Sequence, residues 1–244
     1  MRILLLGGTS EARVLAAQLH PDIEVISSLA GRVPDPALPV GQVRIGGFGG
    51  ADGLRDWLRE ARVDAVVDAT HPFAATITAS AAAVCRELGV PHLVLARPAW
   101  NPGSATVVSS DTHAAKLVAD NRFSRVFLTT GRTGTSAFKD GDAWFLIRAV
   151  TAPNVADLPQ HHHVLLSRGP YRYDDELELL RGNRIEALVT KNSGGSMTRP
   201  KLDAAAALGV AVVMVDRPPL PPGVVTVATT DDAAAWVSST STTR

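Results

Sequence analysis

Several features that mark large classes of protein are scarce in this sequence of 244 residues. It contains one cysteine, Cys85, which excludes an intrachain disulfide framework and a metal site built from several cysteines. Basic and acidic side chains are equal in number, 24 of each, which disfavours a protein that binds nucleic acid by broad neutralisation of phosphates. Aromatic residues make up only 5% of the chain, which also argues against stacking platforms for bases.

Long apolar runs are missing as well. The opening run Ile3–Leu6 is too short for the hydrophobic region of a signal peptide, and no cleavage site follows it. No run approaches the roughly 20 residues that a membrane helix needs. We therefore expect a cytoplasmic protein without a membrane partner. The composition, 45% hydrophobic and 20% charged, is typical of a globular chain that can bury a sizeable core.

Short apolar runs alternate with helical stretches, which predicts an α/β protein. In the first part of the chain the predicted strands are 3–6, 23–26, 43–45, 65–67 and 92–95, and the predicted helices are 10–19, 54–61 and 74–88. The predicted strands are mainly apolar and do not alternate with polar residues, which is typical of a parallel sheet with helices on both faces. The segment Arg97–Gly103 contains two prolines and a glycine and predicts a link between two halves.

The second half repeats this alternation. Its predicted strands are 126–129, 144–147, 164–166, 187–189 and 212–215, and its predicted helices are 112–120, 174–181 and 201–208. A proline-rich turn, Pro218–Gly223, precedes a predicted strand 224–227 and helix 231–237, and the tail Ser238–Arg244 is expected to fray. We therefore predict two Rossmann-like domains, residues 1–96 and residues 97–244. Ligands of such sheets bind outside the carboxyl ends of the strands.

A glycine turn follows the first predicted strand and is a candidate cofactor site. It consists of Gly7, Gly8, Thr9 and Ser10. Glycines let the backbone approach a pyrophosphate, and the N–H groups of the following helix favour an anion. Arg13 stands where the dinucleotide fingerprint would have a third glycine, so a plain tight turn with a Thr or Ser cap remains an alternative.

The next strand ends add further candidate cofactor residues. Ser28 and Arg32 follow the second predicted strand, where a carboxylate usually binds the ribose of NAD. A hydroxyl with an arginine suits a 2′-phosphate instead, which favours NADP; the alternative is an exposed loop arginine. Gly47, Thr70 and His71 follow later strands, with a loop at positive φ and a plain helix start as the alternatives.

The strand ends of the second half place a cation or a hydroxyl beside a glycine. The candidate ligand-binding residues there are Arg132, Arg168, Tyr171, Lys191, Asn192, Ser193, Gly194 and Lys201. Together they predict a cationic rim that faces an anionic ligand, although each basic residue alone is compatible with a solvated surface charge. The consecutive histidines His161–His163 point in different directions, so we predict no metal site.

Six of these segments, in this order, resemble the precorrin-6A reductases of cobalamin biosynthesis. They are Gly7–Glu11, Ser28–Arg32, Gly46–Gly49, Asp68–Ala74, Thr130–Arg132 and Thr190–Gly195, and the resemblance covers nearly the whole chain. It implies NADPH-dependent reduction of a carbon–carbon double bond in precorrin-6A to give precorrin-6B. It also implies two Rossmann-like domains with the ligands in the cleft between them. The family includes cobalt-precorrin-6A reductases of the anaerobic route.

The resemblance also implies roles for the candidate residues. NADPH is expected on the first domain, and a tetrapyrrole on the second, where Arg132, Arg168, Lys191 and Lys201 would meet its carboxylates. His71 and Lys191 are candidates for donating a proton or orienting the substrate, with Tyr171 and bound water left open. Neighbouring enzymes of the corrin pathway are the expected protein partners.

Two other classes of function remain as alternatives. One is another short NADP-dependent reductase or epimerase, which is disfavoured because no Tyr-x-x-x-Lys pair occurs at helical spacing. The other is a non-catalytic NADP-binding sensor module, which would bind the nucleotide without turnover.

Overall fold

Two compact α/β units make up the part of the chain that the structure, a computed structural model, describes: residues 1–31 and 36–242. The first unit contains Met1–Pro98 together with the segment from Pro218 onward, and the second unit is Ala99–Arg217. Each unit has its own sheet of six parallel strands with helices packed on it, which confirms the predicted fold class.

The first unit begins with five strands and three helices. They are β1 (Arg2–Leu6), α1 (Ser10–Leu19), β2 (Glu24–Leu29), β3 (Gln42–Ile45), α2 (Gly50–Glu60), β4 (Ala65–Asp68), α3 (Ala75–Leu88) and β5 (His92–Leu95). The strands pair in the order β3-β2-β1-β4-β5. Residues Ile3–Leu6 of β1 and Ala65–Val67 of β4 are apolar and buried, because helices cover the two faces of the sheet.

The second unit has the same kind of sheet. Its elements are β6 (Thr106–Val108), α4 (Asp111–Asp120), β7 (Arg125–Leu128), β8 (Trp144–Ala149), β9 (His162–Leu166), α5 (Tyr173–Gly182), β10 (Ala187–Lys191), α6 (Pro200–Leu208) and β11 (Ala211–Val215). They pair in the order β9-β8-β7-β10-β11-β6. Strand β6 was not predicted, because it is three residues long, lies at the sheet edge and buries only Val108.

The last strand and helix belong to the first unit, which corrects the predicted second domain of residues 97–244. Strand β12 (Val225–Val227) pairs with β5, and α7 (Thr230–Thr242) buries Ala233 and Val237 in the core beside α1. A local pattern predicts a strand but does not choose between two sheets. The expected fraying from Ser238 is also wrong as far as Thr242, where α7 ends; residues 243 and 244 lie outside the described residues.

The two units repeat each other in topology and in two sequence segments. Arg62–Ala65 leads into β4 and Arg184–Ala187 leads into β10, with Arg-Val-Asp-Ala matched by Arg-Ile-Glu-Ala. Arg62 and Arg184 both have a left-handed backbone, with φ of 50° and 51°. Leu-Gly-Val precedes both β5 and β11, and Arg-Pro follows both. This internal repeat was not among the sequence-based expectations.

The repeat explains where the sixth strands lie. After the Arg-Pro that follows β5, the chain enters the second unit and forms β6; after the one that follows β11, it returns to the first unit and forms β12. With β12 included, the first sheet has the strand order 3-2-1-4-5-6 of dinucleotide-binding folds. The second sheet has the same spatial arrangement, but its sixth position is taken by β6, which is the first strand of that unit along the chain.

Candidate functional site

The turn between β1 and α1 is built around Thr9. Its Oγ1 donates a hydrogen bond to Ala69 O (2.7 Å) and accepts one from Ala12 N (3.1 Å), so the side chain caps α1 and ties the turn to the end of β4. Gly8 has a φ of 108°, and no other atom lies within 4 Å of the place where its Cβ would be. The backbone of this turn is therefore open to a ligand, whereas the Thr9 side chain is engaged by the fold.

An ion pair flanks the same turn. Arg97 Nη1 donates to Glu11 Oε2 at 2.9 Å, and Ser10 Oγ donates to the same oxygen at 3.0 Å. Burial acts to raise the pKa of Glu11, but a backbone hydrogen bond and the Arg97 guanidinium outweigh it, so that the pKa is lowered. The carboxylate at the start of α1 is thus kept ionised by a partner.

Arg44 joins two predicted cofactor residues at the ends of β2 and β3. Its Nη1 donates to Ser28 Oγ (3.0 Å) and Gly46 O (2.9 Å), and its Nη2 donates to Gly47 O (2.9 Å). The guanidinium lies 3.8 Å from the centroid of the Phe48 ring. Partial burial lowers the pKa of Arg44.

Arg44 lies inside a strand, whereas the candidate residues predicted from the sequence follow strand ends, so the sequence did not indicate its role. Arg32, the arginine predicted to read the ribose phosphate, lies outside the described residues. Within the described chain, Arg44 is the arginine that contacts Ser28.

The end of β4 places Thr70 through a buried carboxylate. Asp68 Oδ1 accepts hydrogen bonds from Thr70 N (3.0 Å) and Thr70 Oγ1 (2.6 Å). Asp68 Oδ2 and His92 Nε2 are buried without a hydrogen-bond partner in the described chain, and burial lowers the pKa of His92 while Asp68 opposes that shift. His71 is exposed, and its Nδ1 accepts from Phe73 N at 3.3 Å.

In the second unit, Lys191 at the end of β10 faces a carboxylate at the start of α4. Lys191 Nζ lies 3.4 Å from Asp111 Oδ2. Asp111 Oδ1 and Thr130 Oγ1 are buried without a hydrogen-bond partner among the described residues. Both oxygens lie within 3 Å of the place where a Cβ on Gly134 would be. The sequence did not indicate a role for Asp111, because acidic residues are common in the first turn of a helix.

The amide of Asn192 is engaged inside the second unit. Its Oδ1 accepts from Trp100 N (2.8 Å), its Nδ2 donates to Trp100 O (3.2 Å), and the residue is 6% exposed. Because both ends of its amide are bonded to the Trp100 backbone, the Asn192 side chain has a structural role here. The geometry does not support the predicted contact between this side chain and a substrate. Ser193 is partly exposed, and Gly194 has a φ of 68°.

Lys201 does not belong to an exposed cationic rim, which corrects that expectation. It is 5% exposed, its Nζ donates to Thr198 O at 3.0 Å, and it lies 4.8 Å from the centroid of the Trp100 ring. Burial lowers its pKa to about 7, with Glu176 opposing the shift and Arg148 adding to it. The sequence placed Lys201 at a helix start but did not show which way it points.

Tyr171 is held by a buried ion pair. The Arg148 guanidinium lies 4.0 Å from the centroid of its ring and forms two hydrogen bonds with Glu176, at 2.9 and 2.7 Å. The Tyr171 hydroxyl donates to Ser167 O at 3.0 Å. Arg132 and Arg168 are exposed, so of the four predicted rim cations these two are the most accessible.

No set of three or more His, Cys, Asp or Glu side chains that could hold a metal ion occurs within residues 1–31 and 36–242. Over the same residues, every helix is too short or too polar to span a membrane.

Two parallel sheets in the order of dinucleotide-binding folds, with polar and basic residues at their strand ends, define a Rossmann-type α/β protein. The family model described as precorrin-6x reductase CbiJ/CobK matches residues 2–238. The chain belongs to this family of oxidoreductases, as the resemblance of its six segments indicated.

Individual relatives are similar over almost their whole length. A precorrin-6A reductase of Mycobacterium tuberculosis is 67% identical over 97% of this chain and 97% of its own. A precorrin-6A reductase of Rhodococcus erythropolis is 55% identical over 98% of each chain. A solved structure described as CobK precorrin-6A reductase has a TM-score of 0.90 and 36% identity, and covers 98% of this chain and 97% of that chain.

Proposed function

We propose that this chain catalyses the NADPH-dependent reduction of a ring double bond of precorrin-6A, giving precorrin-6B in cobalamin biosynthesis. The observation that carries the proposal is the family match over residues 2–238, together with relatives named for this reaction that align end to end. The cobalt-containing form of the substrate is the alternative within the same reaction.

The preference for NADPH is argued from Arg44 in the first unit. In folds with this strand order, the groups at the end of β2 meet the adenosine ribose of the cofactor. Here that end offers the Ser28 hydroxyl, and Arg44 hydrogen-bonds to it. A guanidinium beside the ribose suits the 2′-phosphate that distinguishes NADPH from NADH, because it presents paired N–H donors to phosphate oxygens.

The fit of NADPH to this unit rests on two further features. The open backbone at Gly8 lies just before α1, where a pyrophosphate is favoured by the helix N–H groups. Thr70, oriented by the buried Asp68, presents its backbone at the end of the neighbouring strand β4. When bound, NADPH supplies the hydride.

The tetrapyrrole is assigned to the strand ends of the second unit. Arg132 and Arg168 are exposed and suit the acetate and propionate carboxylates of the macrocycle. Lys191 lies in the same unit with Asp111 at 3.4 Å, an arrangement that can hold an ammonium proton and direct it toward a bound substrate. His71 of the first unit remains the second candidate for that role.

Turnover tests the reaction directly. Under anaerobic conditions the chain is expected to oxidise NADPH in step with the conversion of precorrin-6A, followed by the absorbance of the nucleotide and the macrocycle. A parallel assay with the cobalt-containing substrate decides between the two forms. Absence of NADPH oxidation with authentic substrate of either form would overturn the proposal. Thermal stabilisation by NADPH without turnover would instead identify a sensor.

Replacing Arg44 by alanine tests the cofactor assignment. The Arg44→Ala variant is expected to raise the KM for NADPH by roughly 10-fold to 100-fold, the scale of a lost charge-assisted pair. The KM for NADH is expected to change much less, because NADH lacks the 2′-phosphate. Steady-state kinetics with both nucleotides measure the difference.

Two further variants complete this test. Arg55→Ala, which removes a partly exposed arginine paired with Glu87 in the same unit, is the matched control and is expected to leave both values unchanged. Arg32→Ala tests the arginine predicted from the sequence. Equal losses with NADPH and NADH in the Arg44 variant would show that Arg44 supports the loop and does not read the phosphate.

A further inference from the structure

We propose that Trp100 is a positioning residue of the substrate site, which holds the segment Lys191–Gly195 at the end of β10 in the conformation that presents Lys191 to substrate. The inference rests on the proposed function, because that function places the tetrapyrrole at this segment.

Trp100 contacts the segment at two points. Its backbone N–H and carbonyl bond both ends of the Asn192 amide, at 2.8 and 3.2 Å. Its indole Nε1 donates to Gly195 O at 2.8 Å. Gly194 lies between these two points and Gly195 lies at the second, with φ values of 68° and 76°. Glycine adopts many backbone conformations with similar ease, so these two residues do not fix the segment by themselves. One residue therefore pins a four-residue stretch at its two ends.

The tryptophan is itself held firmly. It is 6% exposed and packs in the core of the second unit with Phe127, Leu146 and Met214. Lys201 lies over the ring at 4.8 Å, where the attraction of a cation for an aromatic face offsets part of the cost of burying the amine. Because Trp100 is fixed by the core, its hydrogen bonds fix the position of residues 192–195 relative to that core.

The internal repeat separates this role from a general role in the fold. By the alignment of the two Arg-Pro segments, Leu220 stands in the first unit where Trp100 stands in the second. Leu220 is 41% exposed, and the residue that corresponds to Asn192 is Thr70, whose hydroxyl bonds to Asp68 instead. The first unit forms the same kind of sheet without a tryptophan at this position. The hydrogen bonds of Trp100 are therefore not needed to form the sheet, and we infer that they serve to hold the segment Lys191–Gly195.

A Trp100→Phe variant isolates the indole contact. Phenylalanine keeps an aromatic ring beneath Lys201 and removes the donor to Gly195 O. The KM for precorrin-6A is expected to rise about tenfold, the effect of one lost hydrogen bond to a buried carbonyl. The KM for NADPH is expected to stay within about twofold, since the proposed cofactor residues lie in the first unit, whereas kcat is expected to fall because Lys191 is held less firmly toward the substrate.

Trp144→Phe is the matched control. Trp144 lies in the same unit, at the first residue of β8, and packs against the Arg125 guanidinium at 4.1 Å. The same substitution there is expected to leave all three kinetic values unchanged. Equal changes in the two variants, or a Trp100→Phe variant whose KM for precorrin-6A does not rise, would overturn the proposal.

Hydrogen exchange of the full chain without ligands tests the same proposal independently of activity. Amides of residues 192–195 are expected to exchange faster in Trp100→Phe than in the unaltered chain, while those of β7 and β8 keep their rates. Unchanged exchange at 192–195 would also overturn it. If Trp100→Phe does not fold, Asn192→Ala, which removes the other side of the contact, must give the same exchange pattern. A chain that fails to reduce precorrin-6A but shows this pattern contradicts the proposed function alone.

Discussion

Replacing Glu176 by glutamine is expected to lower the free energy of unfolding by about 3–5 kcal/mol, the cost of leaving a buried charge without its partner. Glu176 and Arg148 have side chains that are 2% and 7% exposed, and the two hydrogen bonds between them are 2.7 and 2.9 Å long. A glutamine keeps the shape of the side chain but cannot neutralise the guanidinium. The loss is therefore electrostatic rather than steric.

A second buried cation depends on the same carboxylate. Glu176 raises the pKa of Lys201, while burial and Arg148 lower it. Without the carboxylate, the Arg148 guanidinium loses its paired anion in the core of the second unit, and the pKa of Lys201 falls further. Arg148 Nε already lacks a hydrogen-bond partner among the described residues. Removing the Glu176 carboxylate therefore leaves the buried guanidinium with even fewer favourable interactions.

Chemical or thermal unfolding measures this effect. Glu178→Gln is the matched control, because Glu178 lies on the same helix, α5, and is exposed; it is expected to change stability by less than about 0.5 kcal/mol. A loss below about 1 kcal/mol for Glu176→Gln would show that another group balances the Arg148 guanidinium.

Replacing Gly53 by alanine is expected to destabilise the first unit by about 1–3 kcal/mol and to raise the KM for NADPH roughly 10-fold to 100-fold. A Cβ on Gly53 would lie 1.8 Å from Phe48 O and 2.9 Å from Phe48 C, so the backbone of the preceding loop must move. The Phe48 ring packs against the Arg44 guanidinium, and that loop supplies two of its acceptors. Moving the loop therefore displaces Arg44.

Gly182→Ala provides the control for the change in helix propensity. Gly182 is the last residue of α5, and no atom lies within 4 Å of the place where its Cβ would be. Alanine there is expected to be neutral or stabilising by up to about 1 kcal/mol. Thermal unfolding and the KM for NADPH are measured for both variants. A Gly53→Ala variant with unchanged melting temperature would mean that the loop moves freely, and the assigned contact with Arg44 would then be wrong.

Gly53 also shows how propensity and tertiary contact differ. By helix propensity alone, a glycine inside α2 is less favourable than alanine would be. The close approach of the Phe48 carbonyl reverses that expectation. The contact joins residues five positions apart through a loop, and no local pattern encodes its distance.

The alternation of apolar strands with helical stretches was enough to predict the α/β class and most of the strands. Strands such as β1, β4 and β10 lie in the centre of a covered parallel sheet, so each contains an uninterrupted apolar run of at least three residues and the signal is strong. The order of short segments along the chain was enough to predict the family. Glycines and polar residues after strands were visible because they follow those strong signals directly.

The assignment of β12 to the first sheet depended on pairing between residues more than 100 positions apart, and such pairing leaves no mark in a three-residue strand. The candidate site was likewise predictable only in part. Arg44 and Trp100 were missed because their importance comes from the atoms that they contact, not from their neighbours in sequence. Lys201 was predicted as an exposed cation and is buried, because residue type limits a side chain's chemistry while packing decides its direction. Composition, periodicity and motif order thus determined the class and the family. Long-range contacts decided the division into units, and they decided which polar side chains are buried and bonded within the fold and which are exposed.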